Sequence, residues 1–224
     1  MSGGAGQVIY GRQPVAEAKR GRRDVRRIWT ADDTGAAELT RLAGSPDHQG
    51  IVAEVDPYPY ADPAQLVVAA DALVVALDQV QDPHNLGAVA RSAEVAGAAG
   101  LVIPDRRSAS VTAAACKASA GALEHLAVAR VANLADWLAA AKDAGAWIYG
   151  ARADAPEPYT RTDLTGKVVL VLGSEGKGLR PRVAESCDAL ISIPRRGRVG
   201  SLNVSAAAAA MLFEAVRQRQ AASN

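Results

Sequence analysis

The sequence predicts a mostly parallel α/β sheet with helices on both faces, preceded by a small α/β domain. From residue 71 onward, short apolar runs alternate with helical stretches, which is typical of parallel strands joined by crossover helices. A proline cluster separates this region from the residues before it. The chain of 224 residues is 49% hydrophobic, which is enough for one large or two small buried cores.

The predicted domains follow from changes in composition along the chain. Residues 1–7 are rich in glycine and lack the apolar segment of a signal peptide, so we expect a flexible tail. Residues 8–55 mix a basic helix with short strands and form the predicted N-terminal domain. Residues 56–70 contain three prolines within seven residues, which favours an extended linker. Residues 71–224 form the second domain.

Five apolar runs in the second domain are predicted strands. They cover residues 73–77, 101–103, 147–149, 168–172 and 189–193. The last two runs each lead into a polar loop. Residues 173–178 contain three glycines, which allow the backbone to approach a ligand closely or to adopt positive φ. Pro194 ends the other strand, because proline cannot donate to a strand ladder.

We expect these two loops to lie side by side and to form one pocket, because ligands of parallel α/β sheets bind at the carboxyl ends of the strands. Ser201 is the predicted N-cap of the helix that follows. The loop at residues 173–178 matches neither the dinucleotide fingerprint nor the Walker phosphate loop, so the pattern does not favour ATP. Taken alone, it also fits a tight turn with glycine caps.

Charge is concentrated in local clusters, since the net charge of +1 excludes a uniformly basic surface. One cluster is either a solvated helix face or a patch that grips nucleic-acid phosphates. It comprises Lys19, Arg20, Arg22, Arg23, Arg26 and Arg27. A smaller cluster lies in the loop after Pro194 and comprises Arg195, Arg196 and Arg198.

The cysteines and histidines argue against a metal site. Cys116 and Cys187 are far apart in apparently helical segments, so we expect free buried thiols in a reducing cytoplasm. His48, His84 and His125 have no cysteine or histidine partner at ligand spacing, so no metal is predicted. The longest alanine-rich run is too short to cross a membrane.

Three segments together resemble the motifs of SpoU-type RNA ribose 2′-O-methyltransferases, which belong to the SPOUT superfamily. They are residues 85–91, 172–179 and 193–205, and they occur in the family's order and spacing. Residues 10–17 and 48–55 look like the family's accessory RNA-binding domain. Within the family, the chain is most similar to the guanosine 2′-O-methyltransferases of large-subunit ribosomal RNA.

The resemblance implies a C-terminal trefoil knot, a homodimer with a site completed across the interface, and S-adenosylmethionine as methyl donor. It implies a catalytic centre of Asn85, Arg91, Glu175, Ser201 and Asn203. It implies cofactor contacts from Leu172, Gly173, Ser174, Gly178, Ile193, Pro194, Ser201 and Leu202. The family more often has an apolar residue after the proline, so Arg195 departs from the pattern and favours RNA binding by Arg195, Arg196 and Arg198. The accessory domain favours RNA binding by the N-terminal residues Lys19, Arg22, Arg23, Arg26 and Arg27. No metal is required for this chemistry.

Arg91 is the family's proposed activator of the ribose hydroxyl. An arginine is not deprotonated in proteins, so we expect it to hold the target phosphate through two hydrogen bonds and to orient the 2′-hydroxyl. The alternatives are a surface arginine at position 91 and a helix-capping role for Asn85. His84 is a less favoured candidate for a catalytic base.

The predicted function is methylation of a ribose 2′-hydroxyl in structured RNA, most specifically a guanosine of 23S ribosomal RNA. The alternatives are the same chemistry on transfer RNA and a catalytically silent RNA-binding or ribosome-assembly protein. A nucleotide-dependent enzyme of the doubly wound type is disfavoured, because the chain lacks the fingerprint and the ribose-binding acid that follows it.

Overall fold

The structure is a computed structural model that describes residues 6–174, 176–198 and 200–222. It divides into two compact units. The first contains the described residues up to Pro59, together with Pro83–Arg91 and Ser110–His125. The second contains Tyr60–Asp82, Ser92–Ala109 and the described residues from Leu126 onward. The first unit therefore includes two segments that follow the predicted linker in sequence. The boundaries at residues 55 and 70 stay predictions.

The described residues form ten β-strands and eight α-helices. The strands are β1 (Gln7–Tyr10), β2 (Val25–Thr30), β3 (Ile51–Val55), β4 (Leu73–Asp78), β5 (Gly100–Pro104), β6 (Val128–Val131), β7 (Trp147–Ala151), β8 (Glu157–Pro158), β9 (Val168–Gly173) and β10 (Ala189–Ser192). The helices are α1 (Arg12–Ala18), α2 (Ala31–Thr34), α3 (Ala36–Ala43), α4 (Pro83–Val95), α5 (Ala113–Ala118), α6 (Leu134–Asp143), α7 (Pro181–Glu185) and α8 (Val204–Ala222).

The first unit is built on an antiparallel sheet, whose described strands have the order β1-β3-β2. Tyr10, Leu39 and Val52 form its apolar core, and Trp29 and Ala113 pack against them. Ala113 is the first residue of α5, so this helix belongs to the same core. The basic cluster does not lie on a helix face, which was one of the two alternatives for it, because α1 ends before the cluster and its last residues lie in β2.

The second unit contains the parallel sheet predicted from the sequence. Its described strands have the order β6-β5-β4-β9-β7-β10-β8, and each pairing between them is parallel. All residues of β4 and β5 are buried, as expected for strands covered on both faces. The five predicted strands are present, and the α/β fold class is confirmed. β6 and the very short β8 were not predicted.

The strand order corrects one expectation about the two loops. β9 and β10 are not neighbours, because β7 lies between them and pairs with both. The three strands run in the same direction, so their carboxyl ends lie at one edge of the sheet. Three loops, and not two, therefore meet at this edge.

The predicted linker is not extended throughout. Pro63–Val67 forms a 3-10 helix in which Leu66 and Val67 are buried. The indole Nε1 of Trp137 donates a hydrogen bond to the Pro63 carbonyl at 3.2 Å. In the part of the chain that the structure describes, no helix has both the length and the hydrophobicity needed to cross a membrane.

Candidate active site

A cavity of about 540 Å³ lies in the second unit where β7, β9 and β10 end. Its lining includes most of the residues predicted to hold the cofactor, with Pro194 the exception. The predicted residues in the lining are Leu172, Gly173, Ser174, Gly178, Ile193, Ser201 and Leu202. The structure therefore brings together two segments that are about twenty residues apart in sequence, and it adds Ala151–Asp154 after β7, which the sequence analysis missed.

The glycine loop after β9 is a compact backbone turn. The Gly178 N–H donates to the Ser174 carbonyl at 2.9 Å, and these two residues form an isolated antiparallel bridge. Gly176 and Gly178 have φ of 76° and 67°, which glycine adopts without strain. A Cβ on Gly173 would lie 2.5 Å from the backbone nitrogen of Leu179. The turn can close this tightly only with glycine at position 173.

Asp78 anchors the far end of this loop, and the sequence analysis missed it. Asp78 is fully buried at the end of β4, in register with Gly173 of β9. Its carboxylate accepts hydrogen bonds from the Arg180 backbone N–H at 2.8 Å and from the Arg180 Nε at 2.7 Å. A charged residue at the end of a buried strand is the sequence signal that could have identified it.

The helix that borders the cavity begins differently from the prediction. Its N-cap is Asn203, whose Oδ1 accepts from the Ser205 N–H at 2.8 Å and from the Ser205 hydroxyl at 2.6 Å. The predicted N-cap at Ser201 is therefore wrong. Ser201 is exposed in the loop and lines the cavity, and Met211 of α8 contributes to the apolar floor.

Arg195 connects two of the loops at the cavity. Its guanidinium donates to the Ala153 carbonyl at 3.3 Å and also to the Gly200 carbonyl. In the neighbouring loop, Arg152 and Asp154 form an ion pair at 2.8 Å. Arg195 is thus engaged with backbone in this structure, whereas Arg196 and Arg198 are exposed.

Asn85 and Arg91, two further predicted catalytic residues, lie on helix α4. Asn85 is half-buried in the first turn of α4, and Arg91 is exposed on the same helix within the first unit. Among the described residues, none forms a hydrogen bond or ion pair with Arg91. Glu175 lies outside the described residues.

The N-terminal basic cluster contains one residue that cannot contact RNA. Arg23 is 4% exposed and pairs with the buried carboxylate of Glu124, donating from Nε to Oε2 at 2.8 Å. Its assignment to RNA binding is therefore wrong, because its charge is already neutralised in the interior. Burial also raises the pKa of the neighbouring Cys116 thiol to about 12.

The other basic residues of this cluster remain accessible. Lys19 and Arg27 are exposed, and the Arg27 guanidinium lies 5.0 Å from the centroid of the Trp29 ring. Arg22 donates to the Tyr58 hydroxyl at 3.0 Å. Arg26 pairs with Asp56 at 2.6 Å. These interactions fix the side chains while leaving much of each cation at the surface.

The thiols and possible metal ligands do not form a reactive centre in the described part of the chain. Cys116 and Cys187 are both free, and Cys187 is half-buried. Burial raises the pKa of the Cys187 thiol to about 12. No group of three or more His, Cys, Asp and Glu side chains among the described residues is arranged to hold a metal ion.

The comparisons with known proteins identify the family. The model of the SpoU rRNA methylase family matches residues 72–213, which include the whole cavity. The chain belongs to this family. It is an S-adenosylmethionine-dependent RNA 2′-O-methyltransferase.

Relatives and solved structures agree with this assignment. The methyltransferase is 43% identical over 195 residues to the 23S rRNA (guanosine-2′-O-)-methyltransferase RlmB of Photobacterium profundum, covering 85% of this chain and 80% of that protein. It is 41% identical to an uncharacterized tRNA/rRNA methyltransferase of Mycolicibacterium vanbaalenii, and the match covers 96% of this chain and 78% of that protein. Among solved structures, the chain superposes on the SpoU methyltransferase AviRb of Streptomyces viridochromogenes in complex with AdoMet. The TM-score is 0.79 at 29% identity, and the match covers 96% of this chain and 90% of that chain.

The cavity of the methyltransferase fits its cofactor. Its volume of about 540 Å³ lies within the usual range of roughly 300–1,000 Å³ for small-ligand sites. Backbone from three loops lines it, and Leu172, Ile193 and Met211 provide apolar surface. The backbone groups and apolar side chains suit the adenosine part of the cofactor, and the charged side chains of Arg152, Asp154, Lys177 and Arg195 also line the cavity.

Proposed function

We propose that this methyltransferase modifies the ribose 2′-hydroxyl of a guanosine in 23S ribosomal RNA. The observation that carries the proposal is the cavity at the ends of β7, β9 and β10, which is lined by the two C-terminal motif segments. The guanosine and the 23S substrate are supported by the 43% identity to RlmB, which extends over 85% of the chain.

In this proposal the cavity holds S-adenosylmethionine, which supplies a methyl group on a positively charged sulfur. The tight turn at Gly173 presents backbone groups on one side of the cavity. Leu172, Ile193 and Leu202 contact the flat apolar part of the ligand. Asp78 acts indirectly by holding the end of the glycine loop through Arg180.

Arg91 acts on the RNA and not on the cofactor. A guanidinium binds a phosphate through two parallel hydrogen bonds, whereas it repels a sulfonium. Fixing the phosphate of the target nucleotide orients its 2′-hydroxyl for in-line attack. Asn85, Glu175, Ser201 and Asn203 complete the proposed catalytic centre, in which Ser201 and Asn203 position the donor and acceptor.

RNA affinity comes from exposed cations of the first unit and of the loop after Pro194. We assign the phosphate contacts to Lys19, Arg22, Arg26 and Arg27 in the first unit and to Arg195, Arg196 and Arg198 at the cavity loops. Residues 8–55 act as the RNA-recognition domain. The active protein is a homodimer, and the C-terminal segments form a trefoil knot.

Mapping of 2′-O-methylation in cells that lack the protein tests this function. We expect one 2′-O-methylguanosine to disappear from 23S ribosomal RNA and to return when the gene is restored, but not when the Arg91→Ala variant is supplied. If a 2′-O-methylation disappears from transfer RNA instead, transfer RNA is the substrate of the same chemistry. Unchanged methylation in both RNAs, with normal binding of RNA by the purified protein, would support a catalytically silent role.

A further inference from the structure

Helix α4 carries a glycine where it packs against α5. A Cβ added to Gly87 would lie 2.5 Å from the Ala115 carbonyl oxygen and 2.6 Å from the Ala118 Cβ. It would also lie 2.8 Å from the Ser119 backbone nitrogen. Two of these three atoms belong to the backbone of the facing segment, so they cannot rotate away. Any larger residue at position 87 must therefore displace α4 from α5.

The segment that carries α5 is itself fixed to the antiparallel sheet of the first unit. Before the helix, the Gln7 side chain of β1 donates to the Val111 carbonyl at 2.6 Å. The first residue of the helix, Ala113, packs against the apolar core of the sheet. After the helix, the buried carboxylate of Glu124 pairs with Arg23. Strand β1 thus holds this segment before α5, and Arg23, in the turn that precedes β2, holds it after α5.

The buried ion pair makes this attachment specific. Arg23 donates to both oxygens of Glu124, to the Gln7 side chain at 2.8 Å and to the Cys116 sulfur at 3.5 Å. The two side chains are 1% and 0% exposed. A buried pair that lost its geometry would leave an uncompensated charge in the interior, so few alternative arrangements of the segment are accessible.

Arg91 lies one helical turn beyond Gly87. We propose that Gly87 is a positioning residue: its packing against α5 sets where the Arg91 guanidinium stands relative to the basic cluster of the first unit. The inference rests on the proposed function, in which that cluster holds the RNA and Arg91 orients the target nucleotide. Moving α4 off α5 would then misplace Arg91 without weakening either binding step.

The test is the Gly87→Ala variant, assayed in single turnover with 23S ribosomal RNA transcribed in vitro and radiolabelled S-adenosylmethionine. We expect the rate at saturation to fall about 10- to 100-fold, the loss typical of a misplacement near 1 Å. Calorimetry with S-adenosylmethionine and filter binding with the RNA should give the dissociation constants of the unmodified protein. Val95→Ala, an exposed change on the same helix, should keep the full rate.

A double-mutant cycle separates positioning from a general structural role. If Gly87 acts through Arg91, adding Gly87→Ala to Arg91→Ala should cause no further loss, whereas independent effects would multiply and overturn the inference. An inactive Arg91→Ala with a fully active Gly87→Ala would also overturn it and leave the proposed function intact. An active Arg91→Ala would refute the proposed role of Arg91 itself. If Gly87→Ala does not fold, Ala118→Val replaces it, because the larger side chain on α5 crowds the same contact with Gly87. The same outcomes then support or overturn the inference.

Discussion

At the scale of single residues, Arg91 and Asp78 differ in the exposure of their charges, and we assign them different roles. Arg91 is exposed on α4, so its guanidinium can reach a substrate. Asp78 is fully buried and serves the protein itself by holding the glycine loop. An exposed charge is expected to affect the reaction, whereas a buried charge is expected to affect folding and cofactor affinity together.

The Arg91→Ala variant should lose methyl transfer by more than about 100-fold while its affinity for S-adenosylmethionine stays within a few-fold. Arg91→Lys should restore little activity, because lysine keeps the charge but lacks the planar fork that binds a phosphate through two hydrogen bonds. Single-turnover rates at saturation and calorimetry provide the two measurements. A collapse of cofactor affinity with surviving chemistry would show that Arg91 belongs to the cofactor site.

Asp78→Asn keeps the shape of the side chain but removes the charge that holds Arg180. We expect a loss of about 1–3 kcal/mol in the free energy of unfolding, limited because Arg180 is partly exposed and can be rehydrated. Cofactor affinity should fall in parallel, since the loop end is released. Urea unfolding and calorimetry measure both effects.

The matched control for Asp78 is Asp136→Asn, which breaks an exposed ion pair with Arg182. Surface pairs contribute about 0–1 kcal/mol, so stability and cofactor affinity should barely change. Equal effects of the two substitutions on cofactor affinity would mean that Asp78 has no special role at the loop.

At the scale of elements, the turn after α1 and strand β2 form the basic surface of the first unit. Replacing Lys19, Arg22 and Arg27 by alanine should weaken RNA binding and flatten its salt dependence by about 0.7–0.9 log units for each phosphate that is no longer neutralised. Turnover at saturating RNA should persist. Filter binding across a salt series measures the slope. The Arg41→Ala control removes an exposed arginine that pairs with Glu38, and it should leave the slope unchanged.

Much of the architecture could be predicted because buried parallel strands are continuous apolar runs. β4, β9 and β10 were located in this way, and the polar loops after β9 and β10 indicated the cavity. β6 and β8 were not predicted because they are short, with four and two residues. The exposed Arg130 also interrupts the apolar run of β6. The strand order could not be predicted either, because no local sequence pattern indicates that β7 lies between β9 and β10.

The errors in the site have equally specific causes. Arg23 has the same sequence context as its exposed neighbours, and only the distant Glu124 makes its burial possible. Ser201 and Asn203 are both good N-cap residues, so sequence could not choose between them. The structure selects Asn203 because α8 begins immediately after it.

At the scale of the whole molecule, the proposed homodimer can be tested directly. Light scattering should give a mass twice the 23.1 kDa of one chain. Leu202 and Phe213 are 50% and 46% exposed, and we assign them to the proposed dimer interface. Phe213→Glu should therefore produce monomers, whereas Val68→Glu, at another exposed apolar position, should not. A monomeric unmodified protein would contradict the prediction.

The position of β9 determines when this protein can become complete during synthesis. Both strands that flank it, β4 and β7, leave the ribosome earlier, and each carries an unpaired edge until β9 is inserted between them. The cavity then also needs residues as late as Met211. Chains released before that point expose strand edges and lack the complete cavity. If the cavity holds S-adenosylmethionine as proposed, the ligand stabilises only chains that extend past Met211, and shorter chains are left to aggregation and proteolysis.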